Sequence, residues 1–279
     1  MKRLRIGFLL PRTSLHSGNY MYLVMRALAE AGADVDAVYP VDRPVDVSRV
    51  RVEHDLYVFR KTSGLAASLA GALHELGAAV VNPYPVSTAL RDKIVTCRIL
   101  QAAGVPTPAT YVASRAEELA PLLDGGPLVL KPHQGSGGYG VRIVRRAADL
   151  AEVPYDRHVP VFAQRYHAPE GRDRKVYAIG GRLFGVKKVF PCRTEAEKLG
   201  EPFALGPELR DLALRCGRAF GIDLYGVDVI ESKGKPYVVD MCSIPGFKGV
   251  PDAPAILAEY FYRAAERARR GDLVAQSAS

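Results

Sequence analysis

Apolar residues recur along this chain in two alternating rhythms. Residues 4–10 (LRIGFLL) form a short continuous apolar run, and YMYLVMRALAEAG at 20–32 carries its apolar positions at helical spacing, with Gly32 as the stop. The pattern repeats: DVDAVYP and DLYVFR predict strands, LAASLAGALHELG a helix and AAVVNPY a further strand. Strands alternating with helices predict a small parallel sheet with crossover helices over residues 1–85. Ligands of such sheets sit beyond the carboxyl ends of the strands. Arg12, Ser17, Asn19 and the segment RKTSG at 60–64 are therefore candidate substrate edges, with ordinary surface loops as the plain alternative.

A second lobe opens with TALRDKIVTCRILQAAGVPTPATYV, which predicts one helix ended by Gly104, an extended linker with two prolines, and a strand. SRAEELAPLL then has the spacing of a capping box, with Ser114 followed three residues on by Glu117. PLVLKPHQGSGGYGVRIVRR follows at 127–146. Gly135, Gly137 and Gly140 have the spacing of a dinucleotide fingerprint, but that motif requires a helix after the glycines. VRIVRR alternates apolar and basic and predicts a strand instead, so the segment reads as a hairpin flap. No GK[ST] ends the run, which excludes a P-loop, and the chain lacks the HRD and DFG of protein kinases. Glycines let backbone amides approach phosphate oxygens, and Lys131 just upstream adds a point charge. A plain glycine-rich hairpin is the alternative.

LYGVDVIESKGKPYVVDMCSIPG at 224–246 shows two β-rich runs around SKGK, a hairpin centred near Gly234. Asp228 and Asp240 lie at equal distance on either side, and a loop of odd length would place them directly opposite on one face. Facing like charges destabilise a ladder, and a divalent cation relieves them. Two solvated acids on an edge hairpin remain the alternative.

Composition narrows the class. With 48% hydrophobic and 24% charged residues the chain reads as globular, and no apolar run approaches the ~20 residues that span a bilayer. MKRLRIGFLLPRTS has the charge of an export signal, but Pro11 ends its apolar stretch too early, so a first strand is expected there. Four scattered cysteines (Cys97, Cys192, Cys216, Cys242) without a CxxC pair argue against structural zinc and against a disulfide framework, and suit a reducing cytosol. The net charge of +8 is spread along the chain, its one dense run (RAAERARRGD) lying on a terminal helix, which argues against nucleic acid and suits anionic small substrates.

Taken in order, RDK, the lysine with its glycine flap, AQRYH, GRDRKVYAIGGRLFGVKK, GVDVIE and VVDMCSIPGFKGV resemble the ATP-grasp superfamily, and most its RimK-like branch of carboxylate–amine ligases. The resemblance covers nearly the whole chain and is strongest over 82–262. It implies an α/β protein of the ATP-grasp fold: an N-terminal parallel-sheet domain (1–85), a central lobe with the glycine-rich flap (86–163) and a C-terminal lobe with the metal hairpin (164–279), the last two clamping ATP. It also implies phosphorylation of a carboxylate to an acyl phosphate and attack by an amine, with amino-acid or peptide substrates. The cofactors implied are ATP and Mg2+, or Mn2+ in its place. The expected compartment is cytoplasmic, with no membrane partner, and many relatives are homo-oligomers.

Carried over residue by residue, Lys93 and Lys131 match the lysines on the ATP phosphates, and Gly135, Ser136, Gly137, Gly138, Tyr139 and Gly140 match the flap. Gln164, Arg165, Tyr166 and His167 match the hinge that reads the adenine edge, with Arg165 where an acidic residue is usual. Asp173 matches a residue near the ribose, and Lys175 one on the phosphate and substrate side. Lys188 sits where the family often has an arginine beside the transferred phosphoryl group, where a cation stabilises developing charge. Asp228 and Asp240 match the metal ligands. Relatives mostly carry Glu at the second and Asn two residues on, where Cys242 stands here; a thiol is a poor partner for hard magnesium. The Asn-containing loop that many ligases carry after the second basic strand is missing, with Lys198 as a stand-in. These departures keep two alternatives open: a kinase acting on a polyol or inositol-phosphate hydroxyl, and a nucleotide-binding relative with lost turnover. His133, His167, Cys97 and the tyrosines at 20, 22, 260 and 262 are expected to serve packing.

Overall fold

The computed structural model describes residues 2–10, 20–38, 44–60, 64–135, 138–189 and 194–272. Arg12, Ser17, Asn19, Ser136, Gly137, Cys192 and positions 61–63 lie outside the described residues.

The first part alternates as its apolar rhythm predicts: β1 (Arg5–Leu9), α1 (Tyr20–Glu30), β2 (Asp34–Val38), β3 (Leu56–Phe59), α2 (Gly64–Glu75) and β4 (Val80–Val81). The four strands pair in parallel in the order β2-β1-β3-β4. β3 is buried at every position, as expected for a strand covered on both faces.

Next come α3 (Tyr84–Ala89), α4 (Lys93–Ala102), β5 (Thr110–Ala113), a 3-10 helix (Ala116–Gly125), β6 (Leu128–Pro132), β7 (Arg142–Val144), α5 (Ala147–Leu150) and β8 (Val161–Arg165). The expected single helix over 88–104 is in fact two. Asp92 takes an extended backbone and its carboxylate accepts from the amides of Ile94 and Val95, so a new helix starts at Lys93. The expected capping box is also absent. Arg115 is the N-cap, without a side-chain cap bond, and Glu118 rather than Glu117 accepts from the Ser114 amide, because this segment winds as a 3-10 helix with Pro121 inside. The strands form an antiparallel sheet, β5-β8-β6-β7, and β6 and β7 make the expected hairpin. β8 runs across the 163/164 boundary and belongs to this central sheet.

The last part holds β9 (Asp173–Ile179), β10 (Arg182–Lys188), α6 (Glu195–Leu199), β11 (Glu201–Phe203), α7 (Pro207–Phe220), β12 (Leu224–Ser232), β13 (Lys235–Cys242) and α8 (Ala253–Arg269). Its antiparallel sheet has the order β11-β10-β9-β12-β13. α7 buries Leu209, Leu212, Ala213, Cys216 and Phe220 at helical spacing against one face, which α4 also packs through Leu100. The opposite face shares a core with α8 and the parallel sheet: Phe261 of α8 meets Phe8 of β1 edge to face, ring centroids 6.0 Å apart. Arg269 clamps that junction, donating to Asp55 at 2.6 Å and to the Lys2 carbonyl at 2.7 Å. The basic helical run is thus partly spent on ion pairs, as expected of a solvated face.

Among the described residues, no helix is long and apolar enough to cross a membrane.

Candidate active site

Sheet register gathers most of the expected residues. Lys175 of β9 pairs with Asp228 of β12, and Asp228 with Asp240 of β13; one pleat over, Tyr177 pairs with Gly226 and Gly226 with Cys242. Cross-strand partners share a face, so Asp173, Lys175, Tyr177, Lys188, Asp228, Asp240 and Cys242 all lie on the face that α8 covers further along. The two aspartates are opposed as expected, for a different reason. The hairpin loop has two residues, Lys233 and Gly234, both at positive φ, and this even loop pairs Val229 with Val238. A bulge after Asp228 restores the Asp228–Asp240 pairing.

Each carboxylate is balanced by a lysine. Lys175 Nζ lies 2.7 Å from Asp228 Oδ1 and Lys93 Nζ 3.7 Å from Asp240 Oδ2. Burial opposes the Lys175 charge, yet Asp228 holds this ammonium well above the ordinary lysine range. Burial pushes the Asp240 carboxyl up against the pull of Lys93. Asp173 is pushed up to about 6 by burial and by the charge of Asp228.

Lys131 projects from β6 on the facing sheet. It donates to Gln164 Oε1 at 2.9 Å and to the Val239 carbonyl at 3.2 Å, and burial pulls its ammonium below the ordinary range while Asp240 opposes that shift. Gln164 is buried and held by Cys97 and Thr110, so Cys97 is the core residue expected, with a polar contact besides. The base of the flap is tied to α4: the Lys93 amide donates to His133 O at 2.8 Å and Lys93 Nζ to Gly135 O at 2.7 Å. Gly140 has φ +72°, and a Cβ there would sit 2.9 Å from Pro132 Cγ, so this turn of the hairpin requires glycine. Tyr139, in the flap turn, is 86% exposed.

The hinge differs from expectation. Arg165 faces away from Lys131 and Gln164, toward the 3-10 helix, where its guanidinium donates to the carbonyls of Leu122 (2.8 Å) and Gly126. Its side chain closes a helix end. The Arg165 and Tyr166 amides are already bonded to Ala109 O (2.8 Å) and Pro127 O (3.0 Å). His167 stacks on Tyr237, centroids 4.1 Å apart, in the packing role expected of it. Residues not singled out from sequence complete this wall: Ile143 and Val129 share the face of Gln164, and Ile143 is 45% exposed. The strand runs PLVL and VRIV carry them, Val129 in the first and Ile143 in the second.

Lys188 joins the site through Tyr177, donating to its hydroxyl at 3.0 Å and to the Lys198 carbonyl at 2.7 Å. The Tyr177 hydroxyl also donates to Lys248 O at 3.3 Å, and the Lys175 ammonium lies 5.8 Å from the Tyr177 ring centroid. Burial pushes the Cys242 thiol up to about 11 against the pull of Lys175, so at neutral pH it stands as a neutral thiol, its Sγ 3.7 Å from Gly226 O. Tyr20 does more than pack its helix: its hydroxyl donates to Pro245 O at 2.8 Å and its ring carries the Arg60 guanidinium. Tyr260 likewise donates to Asp223 at 2.6 Å.

Two opposed carboxylates are hard oxygen donors, and two lysine ammoniums stand beside them as cations. That donor set fits Mg2+, which takes one or two carboxylates and fills its shell with water and phosphate oxygens. Among the described residues no cluster of three or more His, Cys, Asp or Glu side chains forms a full protein cage.

Residues 90–258 match the family model of the RimK-like ATP-grasp domain. A probable alpha-L-glutamate ligase 1 of Shewanella frigidimarina is 30% identical over 194 residues, 65% of this chain and 64% of that protein. A probable alpha-L-glutamate ligase of Aliivibrio salmonicida is 29% identical over 192 residues, 62% of this chain and 64% of that protein. The chain thus spans just under two thirds of the length of these curated relatives. Among solved structures, an ATP-grasp RimK domain protein of Sphaerobacter thermophilus superposes with a TM-score of 0.72 at 23% identity, covering 92% of this chain and 98% of its own. The D-alanine–D-alanine ligase of Bacillus anthracis gives 0.71 at 19% identity, covering 96% and 99%. At these identities the likeness is one of fold.

Proposed function

Because the chain belongs to the RimK-like ATP-grasp family, we propose that it is an ATP- and Mg2+-dependent ligase that joins a carboxylate to an amine. The observation that carries this reading is the Asp228–Asp240 pair, each acid matched by a lysine, facing Lys131 and the glycine hairpin. Lys93 and Lys131 hold the ATP phosphates, and the backbone of the flap closes over them. Val129 and Ile143 offer an apolar face to the base, beside Gln164. Asp228 and Asp240 hold Mg2+, which when bound draws charge off the phosphate oxygens.

Lys175 and Lys188, coupled through Tyr177, orient the substrate carboxylate for in-line attack on the γ-phosphorus. A carboxylate oxygen forms the new P–O bond while the bond to ADP breaks, giving an acyl phosphate. The amine nitrogen then attacks the carbonyl carbon, phosphate leaves and the amine gives up a proton. The lysines act by pre-set charge, which costs no reorganisation as negative charge develops. The three-part division also belongs to this reading, with its central lobe running through β8 to Arg165. ADP release with Mg2+, screened over L-amino acids and dipeptides and run with hydroxylamine, tests the proposal: acyl phosphate yields a hydroxamate, whereas a phosphorylated hydroxyl yields none.

A further inference from the structure

β4 is an edge strand of the parallel sheet, and it borders a cavity of about 550 Å³ that it shares with α7, β9 and α8. Residues 78–83 line this cavity in unbroken succession, as the edge of a strand does; a face would present alternate residues. Ala178, Leu214, Ile222 and Tyr225 add apolar surface. Ala178 and Tyr225 are cross-strand partners, one position along from Tyr177 and Gly226, so they present the sheet face opposite to Lys175 and Asp228. The cavity is therefore separate from the candidate active site. Its volume lies within the roughly 300–1,000 Å³ of small-molecule sites, which combine apolar walls with a few placed polar groups.

Two polar groups in this cavity stand unmatched. Arg263, Arg269 and Arg270, along α8 and at its end, each pair with a carboxylate, of Glu259, Asp55 and Asp272. Among the described residues no carboxylate pairs with Arg267, which lines the cavity half-buried. A helix dipole favours a basic residue in the last turn, but Arg269 already serves α8 there. The acids that line the same cavity are engaged: Asp223 accepts from the Tyr260 hydroxyl at 2.6 Å, and Asp272 from Arg270 at 3.1 Å. Asn82 is the second group. It is 2% exposed, and its Nδ2 donates to Leu224 O at 2.6 Å and to Ser243 Oγ at 3.0 Å. Among the described residues its Oδ1 accepts no hydrogen bond, which is costly for a buried oxygen that faces no ligand.

We propose that this cavity is a second binding site, for a small organic anion whose carboxylate pairs with the Arg267 guanidinium and whose apolar body lies against Ala178, Ile222 and Tyr225. The planar fork of an arginine matches a carboxylate with two parallel N–H···O bonds. Arg218, also on the lining, adds a second cation whose own acid, Asp211, is 3.8 Å away and exposed. Binding there is reversible and involves no chemistry, and the site stands whether or not the ligase reading holds. Because its walls come from β4, α7 and α8, a bound anion ties the parallel sheet to the C-terminal part and raises the melting temperature.

The test uses the full chain without ATP or Mg2+, titrated calorimetrically with 3-phenylpropionate and, separately, with its carboxamide. Wild type binds the acid about 10–100-fold more tightly than the amide, the size of a charge-assisted bidentate contact. Arg267→Gln brings the two probes to one affinity while keeping the affinity of wild type for a non-hydrolysable ATP analogue with Mg2+. Ala79→Leu fills the cavity from its β4 wall and removes binding of both probes. Thermal melts check that both variants fold, and Arg267→Gln, which removes no ion pair, melts close to wild type. Acid binding that Arg267→Gln leaves unchanged, a wild type indifferent to the amide, or no acid binding at all overturns the assignment of the cavity. A parallel loss of nucleotide affinity in Arg267→Gln overturns its separateness from the active site. None of these results bears on the ligase reading, which the hydroxamate assay tests.

Discussion

Lys175 and Asp228 face each other from neighbouring strands, Nζ 2.7 Å from Oδ1, and the same register sets Asp228 against Asp240. The lysine therefore stabilises a ladder that would otherwise carry two facing acids. Lys175→Met should destabilise the metal-free chain by about 1–3 kcal/mol, less than a fully buried pair because both side chains keep some exposure. Mg2+ should raise the melting temperature of the variant more than that of wild type. Equal Mg2+ shifts in both proteins would argue against a shared cation site.

Two substitutions on β13 should move metal affinity in opposite directions. Asp240→Asn removes one of the two hard carboxylates and should weaken Mg2+ by at least the roughly 10–100-fold that losing an outer-shell partner costs. Cys242→Asn puts an amide oxygen where a neutral thiol now packs against Gly226, and should tighten it. Calorimetric titration with Mg2+ in the presence of a non-hydrolysable ATP analogue reads both. A Cys242→Asn variant that gains nothing would show that this position does not face the metal.

Asp173 should leave a pH signature in stability. Its carboxyl is pushed up to about 6, above the unfolded value, so folding favours the protonated form. Its ionisation therefore costs stability as pH rises from about 4 to 6, and that cost stays constant above. Asp173→Asn should accordingly be more stable than wild type at pH 7, by at most about 3 kcal/mol from a shift near two units. The difference should vanish near pH 4. Parallel melts at pH 4, 5, 6 and 7 measure it, and a pH-independent difference would contradict the burial of this acid.

Gly249 has φ +87°, and a Cβ there would collide with the Leu199 carbonyl. Gly249→Ala should cost about 1–3 kcal/mol by overpacking. It should also lower turnover, because the displaced loop carries Lys248 O, which holds Tyr177, while Leu199 follows Lys198, whose carbonyl holds Lys188. Chemical denaturation and ADP release on the same preparation separate the two effects.

Much of this arrangement was legible in the chain. β-branched VRIV after the glycines excluded a Rossmann turn, and the structure has β7 there, antiparallel to β6. The spacing of Asp228 and Asp240 about Gly234 foretold their opposition, though the bulge that achieves it leaves no compositional mark. The helix break before Lys93 was hidden because RDK continues a helical rhythm; only the backbone of Asp92 shows it as a cap. The side-chain face of Arg165 depends on β8 lying between β5 and β6, a pairing between distant segments that no local pattern encodes. Arg60, Tyr20 and Phe247 meet for the same reason, coming from separate parts of the chain joined by one core.

The proposed reaction passes through an acyl phosphate formed at this site. Full-length protein with Mg2+, ATP, hydroxylamine and each candidate carboxylate should release ADP and form the matching hydroxamate, with both products falling together in Asp240→Asn. ADP released with a phosphate ester as product and no hydroxamate, or ATP bound with no ADP released by any carboxylate, would contradict it.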